Sequence, residues 1–308
     1  MICLKAYAKI NWTLDILGTR SDGYHLMDML MQGVEIADTL WLEVDSQIYL
    51  ESAGNAPKGG GMSNDALSSQ AVPYDQSNLV CRAALALQTY TGVKCGARIR
   101  LEKHIPSGAG MGGGSADAAA TLIGLNRLWG LGLGRDELFS IGLSLGADVP
   151  FLLTGGLARV GGIGEAITPL HPAPRVPLVL LQPCGGLSTG KVFAAYDALS
   201  QEALPRPHTQ AAQHALLAGD LNALGRAMGN VLEAASRPAR PAIAQAAQAL
   251  EALGAVRAMM TGSGSVVYGV FDSDAAAQSA LCAMAPQARA QGWGAPLLTH
   301  TRCVQMAL

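Results

Sequence analysis

The chain has 308 residues, of which half are hydrophobic and 14% charged, and its formal net charge is −2. That length holds two domains with sizeable cores, and the composition excludes a disordered polymer. The near-balanced charge, without a basic block, excludes a nucleic-acid backbone as the expected partner.

In chain order, residues 2–8, 12–17 and 33–44 are rich in alternating or β-branched residues and read as strands, with Ser21-Asp22-Gly23 as turn chemistry. Lys5 and Lys9 break the N-terminal stretch before a signal-peptide core can form, and no later apolar run approaches the ~20 residues that span a bilayer. A cytoplasmic protein with no membrane partner is expected. Residues 52–77 are poor in apolar side chains and contain Gly59-Gly60-Gly61 and Pro73, which predicts an exposed loop. Ser77 reads as the N-cap of a helix from Asn78 to about Tyr90, ended by Gly92. An apolar strand from Ala97 to Leu101 leads into a glycine-dense stretch, followed by a helix from Ala118 to Trp129.

A helix over 135–145 stops at Gly146, and Pro150 biases Val149 toward extended backbone, so Asp148 is expected on a turn leading into a strand at Phe151-Leu-Leu. The proline-rich His171–Pro177 stretch predicts a boundary, giving domains 1–172 and 173–308. Beyond it, a strand at 176–182 precedes helices near 189–198, 208–217, 220–235 and 239–253, the first of them capped by Ser188 or Thr189. Strands at 255–260 and 266–271 flank a Thr261–Ser265 loop, and a helix near 274–285 and a closing strand complete an α+β pattern. The six cysteines (Cys3, Cys81, Cys95, Cys184, Cys282, Cys303) include no Cys-x-x-Cys pair and read as reduced thiols. Nothing in the sequence fixes an oligomeric state.

The richest chemistry lies at 106–117, where five glycines fall within the seven positions from Gly108 to Gly114. Glycine backbone can turn through positive φ and approach a ligand without a Cβ in the way. The following helix start offers unpaired N–H groups and the positive end of its dipole, which together make a cradle for phosphate. Gly108, Gly110 and Gly113 also satisfy the dinucleotide G-x-G-x-x-G pattern, but about a hundred residues precede it and no acid lies about twenty positions on. A near P-loop at Gly185–Val192 lacks the hydroxyl that holds Mg²⁺, since Val192 occupies that position.

Taken together, these residues resemble the small-molecule kinase superfamily of galactokinase, homoserine, mevalonate and phosphomevalonate kinases. The resemblance rests on a Lys9-bearing strand, the Pro106–Asp117 loop and the Met260-Thr-Gly-Ser-Gly-Ser265 loop, in that order. Within the superfamily the chain is most similar to the branch acting on 4-diphosphocytidyl-2-C-methyl-D-erythritol. Ala8-Lys9-Ile10-Asn11, Arg20-Ser-Asp-Gly-Tyr-His25, Asn78-Leu79-Val80, Leu145-Gly-Ala-Asp148-Val-Pro-Phe151 and Gly162-Ile-Gly-Glu165 carry that match, and Asp-Gly-Tyr-His is not shared with the sister kinases.

The resemblance implies a two-domain α+β fold, with an N-terminal ribosomal-protein-S5-domain-2-like part and a C-terminal ferredoxin-like α/β sandwich. It implies transfer of the γ-phosphoryl of ATP, with Mg²⁺, to a 2-hydroxyl in the non-mevalonate isoprenoid pathway. Asp148 is then the general base and Lys9 its partner. The loop Pro106, Ser107, Gly108, Ala109, Gly110, Met111, Gly112, Gly113, Gly114, Ser115 and Ala116 wraps the triphosphate, with Ser115 the candidate metal ligand. Tyr24 and Phe193 sandwich the pyrimidine, His25 reads its edge, and Asn11 and Thr189 face the rest of the substrate. Each residue also has a plainer reading. Asp148 is otherwise a turn residue, Lys9 a surface lysine, Phe193 core, and Asp117 and Glu165 structural. A sister kinase or a non-catalytic nucleotide-binding relative would keep the loop but differ in acceptor or activity.

Overall fold

The structure is a computed structural model and describes residues 1–54, 72–200 and 204–303. Two very long strands, β1 (Ile2–Thr19) and β2 (His25–Asp45), form an antiparallel hairpin. The sequence suggested three shorter strands here. Register shifts at Tyr7/Lys9, Asn11/Thr13 and Ile16/Gly18 break the alternation without ending the strand. The turn falls at 20–24, as Ser21-Asp22-Gly23 indicated.

The other edge of β2 is shared. Its second half pairs with β4 (Gly96–Glu102), which pairs in parallel with β3 (Ile48–Ser52). Its first half pairs with β5 (Leu157–Gly162), which continues to β6 (Ala166–Leu170). The helix α1 (Leu79–Thr91) is capped by Asn78, whose Oδ1 accepts from Val80 N, rather than by Ser77. Most of the predicted 52–77 loop lies outside the described residues.

Helix α2 (Gly113–Leu128) starts five residues earlier than its apolar pattern suggested, because Gly113 to Asp117 form its first turn. It packs on β1 and β2 through a run of buried alanines. Helix α3 (Arg135–Leu145) is followed by α4 (Val149–Thr154), a correction to the strand expected at Phe151. A short apolar run does not distinguish a strand from a buried helix, and Pro150 is tolerated in a first turn, where its missing N–H has no intrahelical partner anyway. All six residues of α4 are buried; each large apolar side chain so placed stabilises by about 1.5–3 kcal/mol.

After the proline-rich stretch, β7 (Pro177–Leu181) enters a second, four-stranded antiparallel sheet. Helices α5 (Thr189–Asp197), α6 (Thr209–Ala218) and α7 (Leu221–Ala227) follow. The helix expected over 220–235 is broken. Met228 turns extended, and β8 (Gly229–Asn230) pairs in parallel with Thr13 and Leu14 of the first sheet. Helices α8 (Glu233–Ala239) and α9 (Ala242–Ala252) lead to β9 (Arg257–Met260) and β10 (Val267–Val270). Helix α10 (Asp274–Ala290) and β11 (Leu297–His300) finish the sheet in the order β11-β7-β10-β9.

Polar contacts join the two sheets in two places. Tyr268 on β10 donates its hydroxyl to the Asn11 carbonyl at 2.6 Å. At the far side Val34 bridges Thr301, Arg302 N donates to Gly33 O, and the Gln32 amide donates to the carbonyls of Pro174 and Arg302.

Candidate active site

The groove between the sheets is a cavity of about 390 Å³. Its floor begins with strand alternation: Lys9 and Asn11 are two apart on β1 and share a face, while Ala8 and Ile10 point into the core. Lys9 is 3% exposed, so this is no surface lysine. Its Nζ donates to Asn11 Oδ1 at 2.8 Å and lies 3.6 Å from Asp148 Oδ2. Asp148 occupies the N-cap position of α4 but makes no capping hydrogen bond with its side chain. Its carboxylate, one-third exposed, is therefore turned to the groove and to Lys9.

The glycine loop closes over this pair. Gly108, Gly110 and Gly112 have φ of +63°, +78° and +71°, a region open to glycine at little cost. The first intrahelical bond at the start of α2 is Ala116 N to Gly112 O, so the N–H groups of Gly113, Gly114 and Ser115 have no helical partner. Lys9 N donates to Met111 O, and a Cβ on Gly112 would lie 3.3 Å from Lys9 Cγ. Cation, carboxylate and anion cradle are thus contiguous.

The loop also docks on the Thr261–Ser265 turn. A Cβ on Gly110 would meet Thr261 O at 2.1 Å, and one on Gly262 would meet Gly110 O at 2.6 Å. Val266 N donates to Ala109 O, and Leu187 N to Gly108 O. Gly262 N donates to Asn11 Oδ1 at 3.1 Å, and Asn230 donates to the carbonyls of Met260 and Gly262. Glu233 Oε1 accepts from Met260 N. The 229–233 segment therefore holds this turn through polar contacts.

Beneath the loop lies a buried ion cluster. Lys103 Nζ is bonded to Asp38 and, at 2.7 Å, to Asp117 on the first turn of α2. Asp38 also accepts from the N–H groups of His104 and Ile105, so it fixes the backbone just before Pro106. Burial pushes the Asp117 carboxyl up to about 8; the Lys103 ammonium pulls it down and Asp38 pushes it up further. Asp117 is buried and acts within this cluster. Glu165 orders its own turn by accepting from Ile163 N.

Of the remaining candidates, Pro106, Gly108, Ala109, Gly110, Gly112, Gly113, Gly114 and Ser115 line the groove, and Ser107, Met111 and Ala116 do not; Met111 and Ala116 are core side chains. Thr189 and Phe193 line it too, with Thr189 Oγ1 2.9 Å from Ser263 Oγ. Ser263 also lines the groove, although the sequence did not mark it as a site residue. Its only sequence signal was its place in the Gly-Ser-Gly turn.

Asn11 lines the cavity, yet its amide is engaged by Lys9, Gly262 and the Met29 sulfur, which makes it a brace rather than a free ligand group. Around the expected base position the chain places His25 beside Phe193 and leaves Tyr24 exposed in the hairpin turn. The His25 ring lies 4.7 Å from the Phe193 ring, while Tyr24, in the hairpin turn with its N–H bonded to Asp22, is 59% exposed. His25 Nε2 is 2.7 Å from Asp197 Oδ1.

Among the described residues no cluster of three or more His, Cys, Asp or Glu could hold a metal ion unaided, and no helix is long and apolar enough to cross a membrane. All six cysteines are free.

Residues 78–156 match the family model for the GHMP kinases N terminal domain, and residues 212–289 that for the GHMP kinases C terminal. The chain is 42% identical to a 4-diphosphocytidyl-2-C-methyl-D-erythritol kinase of Symbiobacterium thermophilum, covering 87% of this chain and 89% of the relative. It is 37% identical to the enzyme of the same name from Alkaliphilus metalliredigens, over 90% of each. Its structure is similar to a crystal structure of 4-(cytidine 5'-diphospho)-2C-methyl-D-erythritol kinase, with a TM-score of 0.76, 32% identity and coverage of 97% of this chain and 99% of that one.

Proposed function

Because the chain belongs to the 4-diphosphocytidyl-2-C-methyl-D-erythritol kinase family of the GHMP kinases, and so is an ATP-dependent kinase, we propose that its groove assigns each step of one transfer to a named group. The reaction moves the γ-phosphoryl of ATP to the 2-hydroxyl of 4-diphosphocytidyl-2-C-methyl-D-erythritol, a step of the non-mevalonate isoprenoid pathway. Phosphoryl transfer asks the protein for positioning and for charge neutralisation. The unpartnered N–H groups of Gly113, Gly114 and Ser115, with the α2 dipole behind them, bind the phosphates. Asp148 accepts the proton of the acceptor hydroxyl, and Lys9 stabilises the charge growing on that oxygen. Asn11 holds Lys9 in place, and Phe193 and His25 receive the base.

The donor set fits Mg²⁺. That ion takes one or two protein oxygens and completes its shell with phosphates and water; Ser115 would hold it, with the Asp148 carboxylate in the same groove. Bound there, it would neutralise phosphate charge. We place the domain boundary at 172/173, between β6 of the first sheet and β7 of the second, with β8 reaching back to the first sheet from beyond it, and the protein in the cytoplasm, a reading supported by its six free thiols.

The observation that carries this reading is the contiguity of the Lys9–Asp148 pair with the glycine cradle. The test is ADP release with Mg-ATP and 4-diphosphocytidyl-2-C-methyl-D-erythritol, beside homoserine, mevalonate and galactose. Turnover with the cytidyl substrate alone is expected. Turnover only with one of the other three would keep the fold and discard the acceptor, and silence with all four from ATP-binding protein would discard the catalytic roles.

A further inference from the structure

On the side away from β2, strand β1 pairs among the described residues only with β8, at Thr13 and Leu14. At Lys9 and Asn11 that edge has no strand beside it, and register shifts at Tyr7/Lys9 and Asn11/Thr13 bracket the stretch. Buried edge groups without a ladder need other partners. Lys9 N donates to Met111 O in the glycine loop, Asn11 O accepts from the Tyr268 hydroxyl, and Asn11 N donates to Thr261 Oγ1 at 3.1 Å. The strand that carries the lysine is thus gripped by the two loops of the site.

Thr261 is fully buried and works in three directions. Its N–H donates to Val266 O and its carbonyl accepts from Gly264 N, which closes the turn. That carbonyl also lies so close to Gly110 that it leaves no room for a Cβ there. The hydroxyl reaches β1, where it accepts the Asn11 N–H and donates to Asn11 Oδ1 at 3.4 Å. The same Oδ1 receives Lys9 Nζ at 2.8 Å and Gly262 N at 3.1 Å. A hydroxyl accepts and donates at once, so this group fixes both the backbone and the side chain of the residue that holds Lys9. A valine of the same shape does neither. Thr261 does not itself line the groove. We propose that Thr261 is a positioning residue for the transfer: acting through Asn11, its hydroxyl sets where Lys9 Nζ stands relative to Asp148 and the glycine loop. The proposal rests on the reading that Lys9 serves the transfer.

Three variants of the full-length protein separate the hydroxyl from its packing. Thr261→Val keeps the volume without the hydroxyl, Thr261→Ala removes both, and Thr261→Ser keeps the hydroxyl alone. The rate is measured with both substrates saturating and expressed per ATP-binding site counted by calorimetric titration, so unfolded protein does not enter it. Thr261→Val and Thr261→Ala are expected to lower kcat by about tenfold to a hundredfold, the effect of a misplacement of about 1 Å. The KM for ATP should stay within about twofold, because the contact with Gly110 is made by backbone and survives in all three. Thr261→Ser should recover most of kcat. A wild-type kcat in Thr261→Val overturns the proposal, and so does a Thr261→Ser as slow as Thr261→Ala, which would assign the effect to the methyl group. A raised KM for ATP at unchanged kcat overturns it as well, by placing the effect at the glycine loop. Lys9→Met tests the premise separately. If Lys9→Met loses kcat while Thr261→Val keeps it, the proposal alone fails. If Lys9→Met keeps kcat, the role of Lys9 fails and takes the proposal with it.

Discussion

Replacing Lys103 by methionine removes the ammonium of this cluster and leaves the Asp38 carboxylate facing the Asp117 carboxyl group in the protein interior. The Asp38 side chain is fully buried and that of Asp117 is 4% exposed, so water cannot take over the role of the lysine. Removing one partner of a buried pair costs about 3–5 kcal/mol, because the orphaned charge keeps its desolvation penalty. Methionine preserves length and apolar volume, so little of that cost comes from a cavity. The expected loss of about 3–5 kcal/mol corresponds to a fall in Tm on the order of 10 °C for a domain of this size. Urea denaturation followed by tryptophan fluorescence reads it, with Trp129 at the end of α2 one of four reporters. Adding Asp117→Asn to Lys103→Met should change little further near neutral pH, because burial already holds the Asp117 carboxyl protonated once the lysine is gone. Asp117→Asn alone should cost little, since it leaves one lysine facing one aspartate. Asp38→Asn alone should cost more, because Asp38 also accepts two backbone N–H groups. A Lys103→Met loss below about 1 kcal/mol, the scale of a surface pair, would refute the reasoning, as would equal effects of the two aspartate variants.

Asp148→Asn should retain ATP binding and lower kcat by about 10²–10⁴, the range for a general base; steady-state ADP release with calorimetric ATP titration checks both halves, and an unchanged kcat removes Asp148 from its role. Gly110→Ala puts a Cβ 2.1 Å from Thr261 O at a φ of +78°. The left-handed backbone alone costs about 1–2 kcal/mol, so both Tm and the affinity for ATP should drop, and unaltered values would mean the two loops are not in close approach. Burial raises the carboxyl of Glu233 above its ordinary value of 4.5, against the pull of Arg237. The folded state then binds more protons than the unfolded one above that pH, so this group's contribution to stability is present at low pH and lost as pH rises through the folded value. Glu233→Gln should flatten that decline in urea midpoints measured from pH 4 to pH 8, and an unchanged slope would place the titration elsewhere.

Much of the site was legible because its chemistry is local in sequence. Five glycines in seven positions announce a backbone cradle however they are folded, and Asp148 was singled out by its neighbours Gly146, Ala147 and Pro150. What the sequence hid was set by partners far away. The long hairpin could not be read from alternation, since three bulges shift which side of the strand faces inward. Residues 220–235 look uniformly helical, and only pairing with Thr13 and Leu14 pulls Gly229-Asn230 out into a strand. Phe151 to Leu153 are equally apolar as strand or helix, and burial on every side removes the periodicity that would decide. The contact between His25 and Phe193 has the same origin, because which of two adjacent side chains turns inward depends on where β2 begins.

The contacts between the two sheets bear on how the molecule comes apart. Asn11 receives Tyr268 at its carbonyl, and Gly262 and Lys9 at its amide oxygen, while its own N–H donates to Thr261, and all of these residues are buried. The Val34–Thr301 bridge and the Gln32 amide repeat the arrangement at the other edge. Separating the halves would strand several buried donors and acceptors at once, each costing about 1–3 kcal/mol. The two sheets, which share one contiguous apolar core, should therefore melt as one cooperative unit, with a single calorimetric transition whose van't Hoff and calorimetric enthalpies agree. The amides of Asn11 and Gly262 should exchange with solvent deuterium only through that global opening.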